Sequence, residues 1–366
     1  MENLFKIGCN FDFALIDVVK DLNEKYAGKG KVMEFFGSDP AHHQLTARPL
    51  WRLADISPEN FEKYVQKALD AGIKFNYTMN SISPWFSKKE CMEHIDEIKE
   101  FTKYLEKIGV YRITVANPML AMIIREVSNI ELELSTISHL DTVTQLKYYH
   151  EQLGINKFCG SVLKNRNKIF LKHCADYCNA NGLIYEILAN ESCGVAGNGY
   201  ATHCVYRDSC YICHATSVTK EDSMLYKNYP MNFCMSSRKN NEEAWIKMRM
   251  IRPEDLHYYN DIGINYFKVS GRTGTTEYLK GVLEAYMTQH FEGNFLALWK
   301  PLETIYNNKK ESEHEFHDYI DNKKLDGFLD HWFEGDGFSC ENEMCGSTCH
   351  YCRDFYLKHK LGEPSK

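Results

Sequence analysis

Residues 74–118 read KFNYTMNSISPWFSKKECMEHIDEIKEFTKYLEKIGVYRITVANP, and they set the pattern for the chain. An apolar run at 74–79 ends in Asn80. Ser87 and Glu90 form a capping box that predicts a helix to about residue 107. A second apolar run at 111–116 ends in Asn117-Pro118, a cap followed by a proline suited to a first helical turn. This is strand–helix–strand–helix, and the rhythm extends both ways. Apolar runs recur at 4–9, 32–36, 132–137, 157–162, 183–188 and 266–269. Helical periodicity follows at 13–26, 58–72, 142–153, 165–181 and 276–290, with a short helix predicted at 252–263. Eight strand–helix units in about 290 residues are the arithmetic of a (β/α)8 TIM-type barrel. A doubly wound open sheet shows the same alternation, but the count of eight favours closure. The fold class is therefore α/β.

The rhythm breaks at 190–250, a segment rich in Cys, Tyr, Met and Ser that reads as an insertion after the seventh strand. Residues 303–324 are polar and charged, as in a solvated linker or surface helix, and a short Cys-rich tail follows. The organisation expected is a barrel over 1–300 carrying the insertion, then 301–366 as linker and tail.

The chain has 366 residues and a formal net charge of −7, with 44% hydrophobic and 13% aromatic residues. Disorder and collagen-like structure are excluded, and so is a general nucleic-acid coat. No apolar run reaches the roughly 18 residues of a membrane span. No basic-then-apolar leader is visible at the start, so a cytoplasmic protein is expected.

Fourteen cysteines stand out. In a reducing compartment, clustered thiols are more often metal ligands than disulfides. Five are scattered, at 9, 91, 159, 174 and 178, and read as packing residues, with strand-ending Cys9 as the exception to watch. Five lie in the insertion: Cys193, Cys204, Cys210, Cys213 and Cys234. Their long, irregular gaps suit iron–sulfur ligation better than zinc, and cysteines directly after a barrel strand would hang a cluster over the mouth. The last four, Cys340, Cys345, Cys349 and Cys352, span 13 residues and fit one centre, either zinc or a second 4Fe–4S cluster.

In a barrel, chemistry gathers where strands end. The ends here offer Asn10, Asn80, Asn117, His139, Glu191, Ser270 and Arg272. Such groups suit a small polar ligand, and Arg272 is placed to clamp a carboxylate or phosphate. Gly-x-Ser-x-Gly, His-Glu-x-x-His and Walker sequences are absent. Arg238, Lys239, Lys247, Arg249 and Arg252 read as a solvated basic face, or alternatively as a strip for RNA.

Four stretches carry a family likeness: ILANESC at 187–193, CVYR at 204–207, IRPEDL at 251–256 and FKVSGR at 267–272. TVANP at 114–118 and STISH at 135–139 add to it. Together they resemble the collagenase-like proteins filed as family thirty-two of the unassigned peptidases, over roughly residues 4–290. The resemblance implies a TIM-barrel-like domain holding a 4Fe–4S cluster through four cysteines. It further implies oxygen-independent hydroxylation of RNA or a small molecule, the oxygen coming from a small organic acid. Some members are labelled proteases, so a metal- or thiol-dependent peptidase is the alternative. A cluster-bearing RNA- or protein-binding subunit is the third reading. Cys193, Cys204 and Cys234 are the implied ligands, with Cys210 or Cys213 the fourth and Arg207 beside the substrate. His139 and Glu191 would move protons, Arg272 would hold an anionic group, and an electron-donor protein is the implied partner.

Overall fold

The structure is a computed structural model that describes residues 1–85, 87–191, 207–219, 221–222, 243–300, 319–335 and 337–365; of 207–209, 213 and 214 it describes the backbone alone. Eight strands close into a barrel in chain order: β1 (Asn3–Gly8), β2 (Gly30–Gly37), β3 (Lys74–Met79), β4 (Arg112–Val115), β5 (Glu131–Leu134), β6 (Lys157–Cys159), β7 (Ile184–Leu188) and β8 (Tyr266–Val269). Every neighbouring pair is parallel, and β8 pairs back to β1 through Lys268 and Lys6.

The outer helices begin at side-chain caps, except the fourth, whose first flanking residue His94 makes none. They are α1 (Phe13–Lys25), α2 (Pro58–Asp70), α3 (Lys88–Glu93), α4 (Ile95–Lys107), α5 (Pro118–Arg125), α6 (Val143–Leu153) and α7 (Lys168–Ala180). Ser57 and Asn117 cap α2 and α5, each with proline in the first turn. Thr142 and Gln145 form a reciprocal capping box on α6.

Three local expectations are corrected. The single helix expected over 87–107 breaks at His94, which leaves helical geometry and stacks its ring on Trp85 at 4.3 Å. The fifth strand stops at Leu134, because the Ser135 hydroxyl accepts from the Ile137 N–H and starts a 3₁₀ turn. The polar stretch ending at 324 is not solvated throughout: Asp321 and Asn322 are buried.

Strand residues alternate between two environments. Phe5, Ile7, Phe35, Phe75, Tyr77, Ile113, Leu132, Leu134, Phe158, Ile187, Phe267 and Val269 face the helices and form the core. The alternate positions fill the barrel with charge. Lys6, Arg112 and Lys157 meet Glu34, Glu133 and Glu186, all buried. Lys157 Nζ lies 2.7 Å from Glu186, 3.1 Å from Glu34 and 3.6 Å from Glu133. Lys6 binds Glu133 and sits 2.7 Å from Glu186, while Arg112 binds Glu34. Asn76 donates to Glu133 at 2.9 Å and accepts from Thr114 at 2.7 Å. Burial by itself would push Glu34 and Glu133 up. The cations outweigh it, holding Glu34 well below its usual range and Glu133 down at about 2.

The segment after the barrel joins the same core. Leu325, Phe328, Leu329, Trp332, Phe333, Phe355, Tyr356 and Leu361 all pack into it.

Candidate functional site at the barrel mouth

The β2–α2 loop, residues 38–57, folds over the C-terminal end of the barrel. Its Arg48 approaches both Arg52, on the same loop, and Arg272, which follows β8. Arg48 lies close enough to feel both of the other guanidiniums, with Glu191 as the opposing carboxylate. Burial is the first cause that lowers all three, and for Arg48 the repulsion of Arg272 and Arg52 adds to it. Arg272 falls to about 10.

The sequence around Arg272 is shaped to seat it. Gly271 adopts φ +142°, outside the range of ordinary side chains. A Cβ at Gly8 would stand 2.5 Å from Arg272 Cγ, so only glycine lets that stem cross β1. The guanidinium then lies 5.2 Å from the centre of the Phe36 ring and donates to Thr78 Oγ1 at 3.3 Å. Lys268 approaches the same ring at 4.2 Å from below. Among the described residues Lys268 meets no carboxylate within ion-pair distance, and burial, with Lys6 nearby, pushes its amine down. The upper barrel is thus a column of cations facing few anions, a setting for a carboxylate or phosphate held by fork-shaped donors.

A helix roofs this mouth. α8 (Arg207–Thr216) lies between the loop after β2 and the loop after β5. Leu50 N–H donates to Ser217 O at 3.0 Å on one side. On the other, Tyr211 packs its ring 5.5 Å from that of His139. β2 and β5 are well separated around the barrel, so α8 crosses the opening and carries Cys210 over it. Cys213 and Arg207 share this helix. Cys193, Cys204, Cys234, Arg238 and Lys239 lie outside the described residues.

The other strand-end residues are placed as follows. Asn10 donates to Gly274 O and Thr276 Oγ1, both at 3.2 Å, and so ties the β1 and β8 loops. Asn80 accepts from Ala47 N–H at 3.1 Å and donates to Ser135 at 3.2 Å, fastening the loop that carries Arg48. Asn117 caps α5 and donates to Ile82 O at 3.1 Å. Ser270 exchanges backbone hydrogen bonds with the Asn190 amide at 2.6 and 3.0 Å. His139 is buried in a left-handed conformation, φ 49°. Of the residues singled out from sequence, Glu191 and Arg272 both act on Arg48 at the mouth, and His139 lies against its roof.

The scattered cysteines are all buried, as packing residues should be. Burial pushes Cys9, Cys159 and Cys174 up to about 12, which suits none of them to nucleophilic attack. Cys159 does come within 4.8 Å of Glu133 and Glu186, but Lys6 and Lys157 already occupy those carboxylates. The basic strip is corrected: Lys247, Arg249 and Arg252 are buried, neither a solvated face nor a surface for RNA. Arg252 is held by Asp255 at 2.6 Å and Asp326 at 2.8 Å, and Lys247 by Glu243 at 2.8 Å. Sequence reading missed Arg48 and Arg52; the run Arg48-Pro49-Leu50-Trp51-Arg52, two cations framing an aromatic after a strand, was the available signal.

Fold and site together define a (β/α)8 barrel with a cationic mouth beneath a thiol-bearing helix. The model of Peptidase family U32 matches residues 41–161, a span that begins in the arginine-bearing loop. The uncharacterized protease MJ1657 of Methanocaldococcus jannaschii is 25% identical over 319 residues, covering 83% of each chain. The chain is similar to peptidase family U32 over these residues. Among solved structures, the U32 peptidase Mk0906 is similar over 74% of this chain and 93% of its own, with 13% identity and a TM-score of 0.47. A GH113 beta-1,4-mannanase covers 86% of this chain and 100% of its own, at 10% identity and a TM-score of 0.39. No helix among the described residues is long and apolar enough to cross a membrane.

Proposed function

We propose that the chain is an iron–sulfur enzyme that modifies an anionic substrate at the barrel mouth, with oxygen-independent hydroxylation as the reaction. The observation that carries this reading is the position of α8, which brings the Cys210 segment of the Cys-rich insertion across the mouth beside the loop that bears Arg48 and Arg52. The donor set fits the group: soft thiolates in excess, in a segment that leaves the barrel directly after β7. Cys193, Cys204 and Cys234 would hold a 4Fe–4S cluster, completed by Cys210 or Cys213. When bound, such a cluster supplies electron transfer or Lewis acidity at the mouth. The electrons would come from a donor protein.

The protein's own residues do the rest. The arginines hold a carboxylate or phosphate of a small organic acid or nucleotide, and Arg272, braced on Phe36, fixes its orientation. Glu191 and His139 would pass protons. α8 covers the site and limits water.

The test is anaerobic purification with iron, sulfide and EPR analysis of the wild type and of Cys→Ala variants at the five insertion positions. The reading expects iron and sulfide that disappear in the Cys193, Cys204 and Cys234 variants. Iron-free protein after anaerobic reconstitution, or a centre holding only zinc, overturns it.

A further inference from the structure

Two arginines are buried without an acid. Arg166, in the β6–α7 loop, is 4% exposed, and Arg249, just before the segment that returns to β8, is 2% exposed. Among the described residues neither forms an ion pair. Arg166 Nη2 donates to the carbonyls of Ile246 at 2.8 Å and Met248 at 2.6 Å, while its Nε and Nη1 find no acceptor. Arg249 reaches only Lys247 O, at 3.4 Å, and its Nε is also unpartnered. The nearby acid Glu341 is taken by Lys164 at 2.7 Å. Two uncompensated charges at this depth would be strongly destabilising.

What faces them is the C-terminal group of cysteines, of which no three sulfurs stand within 4.8 Å of one another, so a bound centre would draw them together. Arg166 stacks on Trp332 at 4.7 Å, and the Trp332 indole N–H donates to Cys340 Sγ at 3.1 Å. Both guanidiniums act electrostatically on Cys352, and Arg166 acts on Cys340 as well. Cys345 and Cys349 lie within electrostatic reach of the same thiols. Thiols are neutral and balance nothing. Four thiolates around a doubly charged metal ion, or around an oxidised 4Fe–4S core, form a dianion, which matches two arginines.

We propose that Arg166 and Arg249 are the built-in countercharges of a dianionic tetrathiolate centre held by Cys340, Cys345, Cys349 and Cys352, and that this centre locks the tail onto the loops after β6 and β7. The surrounding contacts fit such a lock. Asn167 donates to Glu341 at 3.3 Å, and Lys168 donates to Phe333 O at 2.6 Å, so the loop bearing Arg166 already grips the tail. Trp332 donates to one thiolate sulfur, the kind of hydrogen bond that tunes a metal–thiolate centre. The inference stands on charge balance in the tail and is independent of the reading of the barrel mouth.

The experiment uses the full chain with Cys193, Cys204 and Cys234 changed to Ala, so that metal bound elsewhere is not counted. It is loaded anaerobically with zinc in one arm and with iron plus sulfide in the other. Retention against a chelator and the melting temperature are read. One centre per chain is expected, iron or zinc according to the arm that binds tightly, and it disappears when the four tail cysteines become Ala. Arg166→Met with Arg249→Met should weaken metal retention at least tenfold and lower the melting temperature of the loaded protein. In the background lacking the four cysteines, the same pair of changes should raise the melting temperature, because it removes stranded charges. A packing role alone gives the same sign in both backgrounds and overturns the proposal, as does a chain that binds neither zinc nor iron through the four cysteines. If the four-alanine background does not fold, chelated and loaded wild-type cysteines replace it, with the same sign reversal expected.

Discussion

Lys157→Met tests the ionic filling of the barrel. The ammonium touches three carboxylates at 2.7, 3.1 and 3.6 Å, and no other cation is placed to serve all three. After the change, only Lys6 and Arg112 remain in contact with Glu34, Glu133 and Glu186, and Lys268 acts on Glu133 and Glu186 from beyond ion-pair distance, which leaves one buried carboxylate without a contacting cation of its own. Removing one partner of a buried ionic group costs about 3–5 kcal/mol. That is a large part of the ~5–15 kcal/mol that holds a domain together. At about 2–4 °C per kcal/mol for a sizeable domain, the melting temperature should fall by roughly 10 °C. The sign of the pH dependence is diagnostic. The stranded carboxyl has a folded pKa above its unfolded one, so it destabilises most at high pH and takes up a proton as pH falls. The deficit relative to wild type should therefore shrink between pH 8 and pH 5. Thermal unfolding of both proteins by circular dichroism across that range is the assay. A deficit under about 1 kcal/mol at pH 8, or one that does not change with pH, refutes the reasoning.

The wild type should behave oppositely in acid. Glu133 is depressed from 4.5 to about 2, so its stabilisation is complete above pH 4.5 and drains away below, which acid titration of the fold will show. Arg272→Met should weaken binding of inorganic phosphate or malonate by about tenfold or more, the loss of a charge-assisted contact; calorimetry reads it, and unchanged affinity removes Arg272 from the site. Gly8→Ala should mimic that loss and also lower the melting temperature, because the new methyl would stand 2.5 Å from Arg272 Cγ, 3.2 Å from the Phe36 ring and 3.3 Å from the Arg272 backbone N; a variant that binds and melts as wild type does refutes it. Cys9, Cys159 and Cys174 should resist a maleimide in the native protein and label only on unfolding; rapid native labelling of any of them contradicts their burial.

The barrel was legible because each of its signals is local. Ser57-Pro58, Asn117-Pro118 and Thr142 with Gln145 act within one helical turn, and period-two alternation marks a strand whatever its neighbours. Closure followed from counting to eight. Polar residues that end strands were legible too, since the topology of a barrel gathers those ends on one face. Glu191 and Arg272 were assigned to that face in this way.

The rest depended on which distant segments meet. Nothing near Lys6 in the chain says that its partners are Glu133 and Glu186 on β5 and β7, because ion pairing inside a barrel is set by register around the ring. Arg48 and Arg52 became site residues only when their loop folded back over β8. Arg249 and Arg252 look alike in sequence and have opposite fates: Arg252 meets Asp255 and Asp326, while Arg249 faces a cysteine cluster about a hundred residues further on. Local propensity and periodicity act over a few residues and are written in the chain. The worth of a charge depends on the dielectric and the counterions around it, and packing alone assigns those.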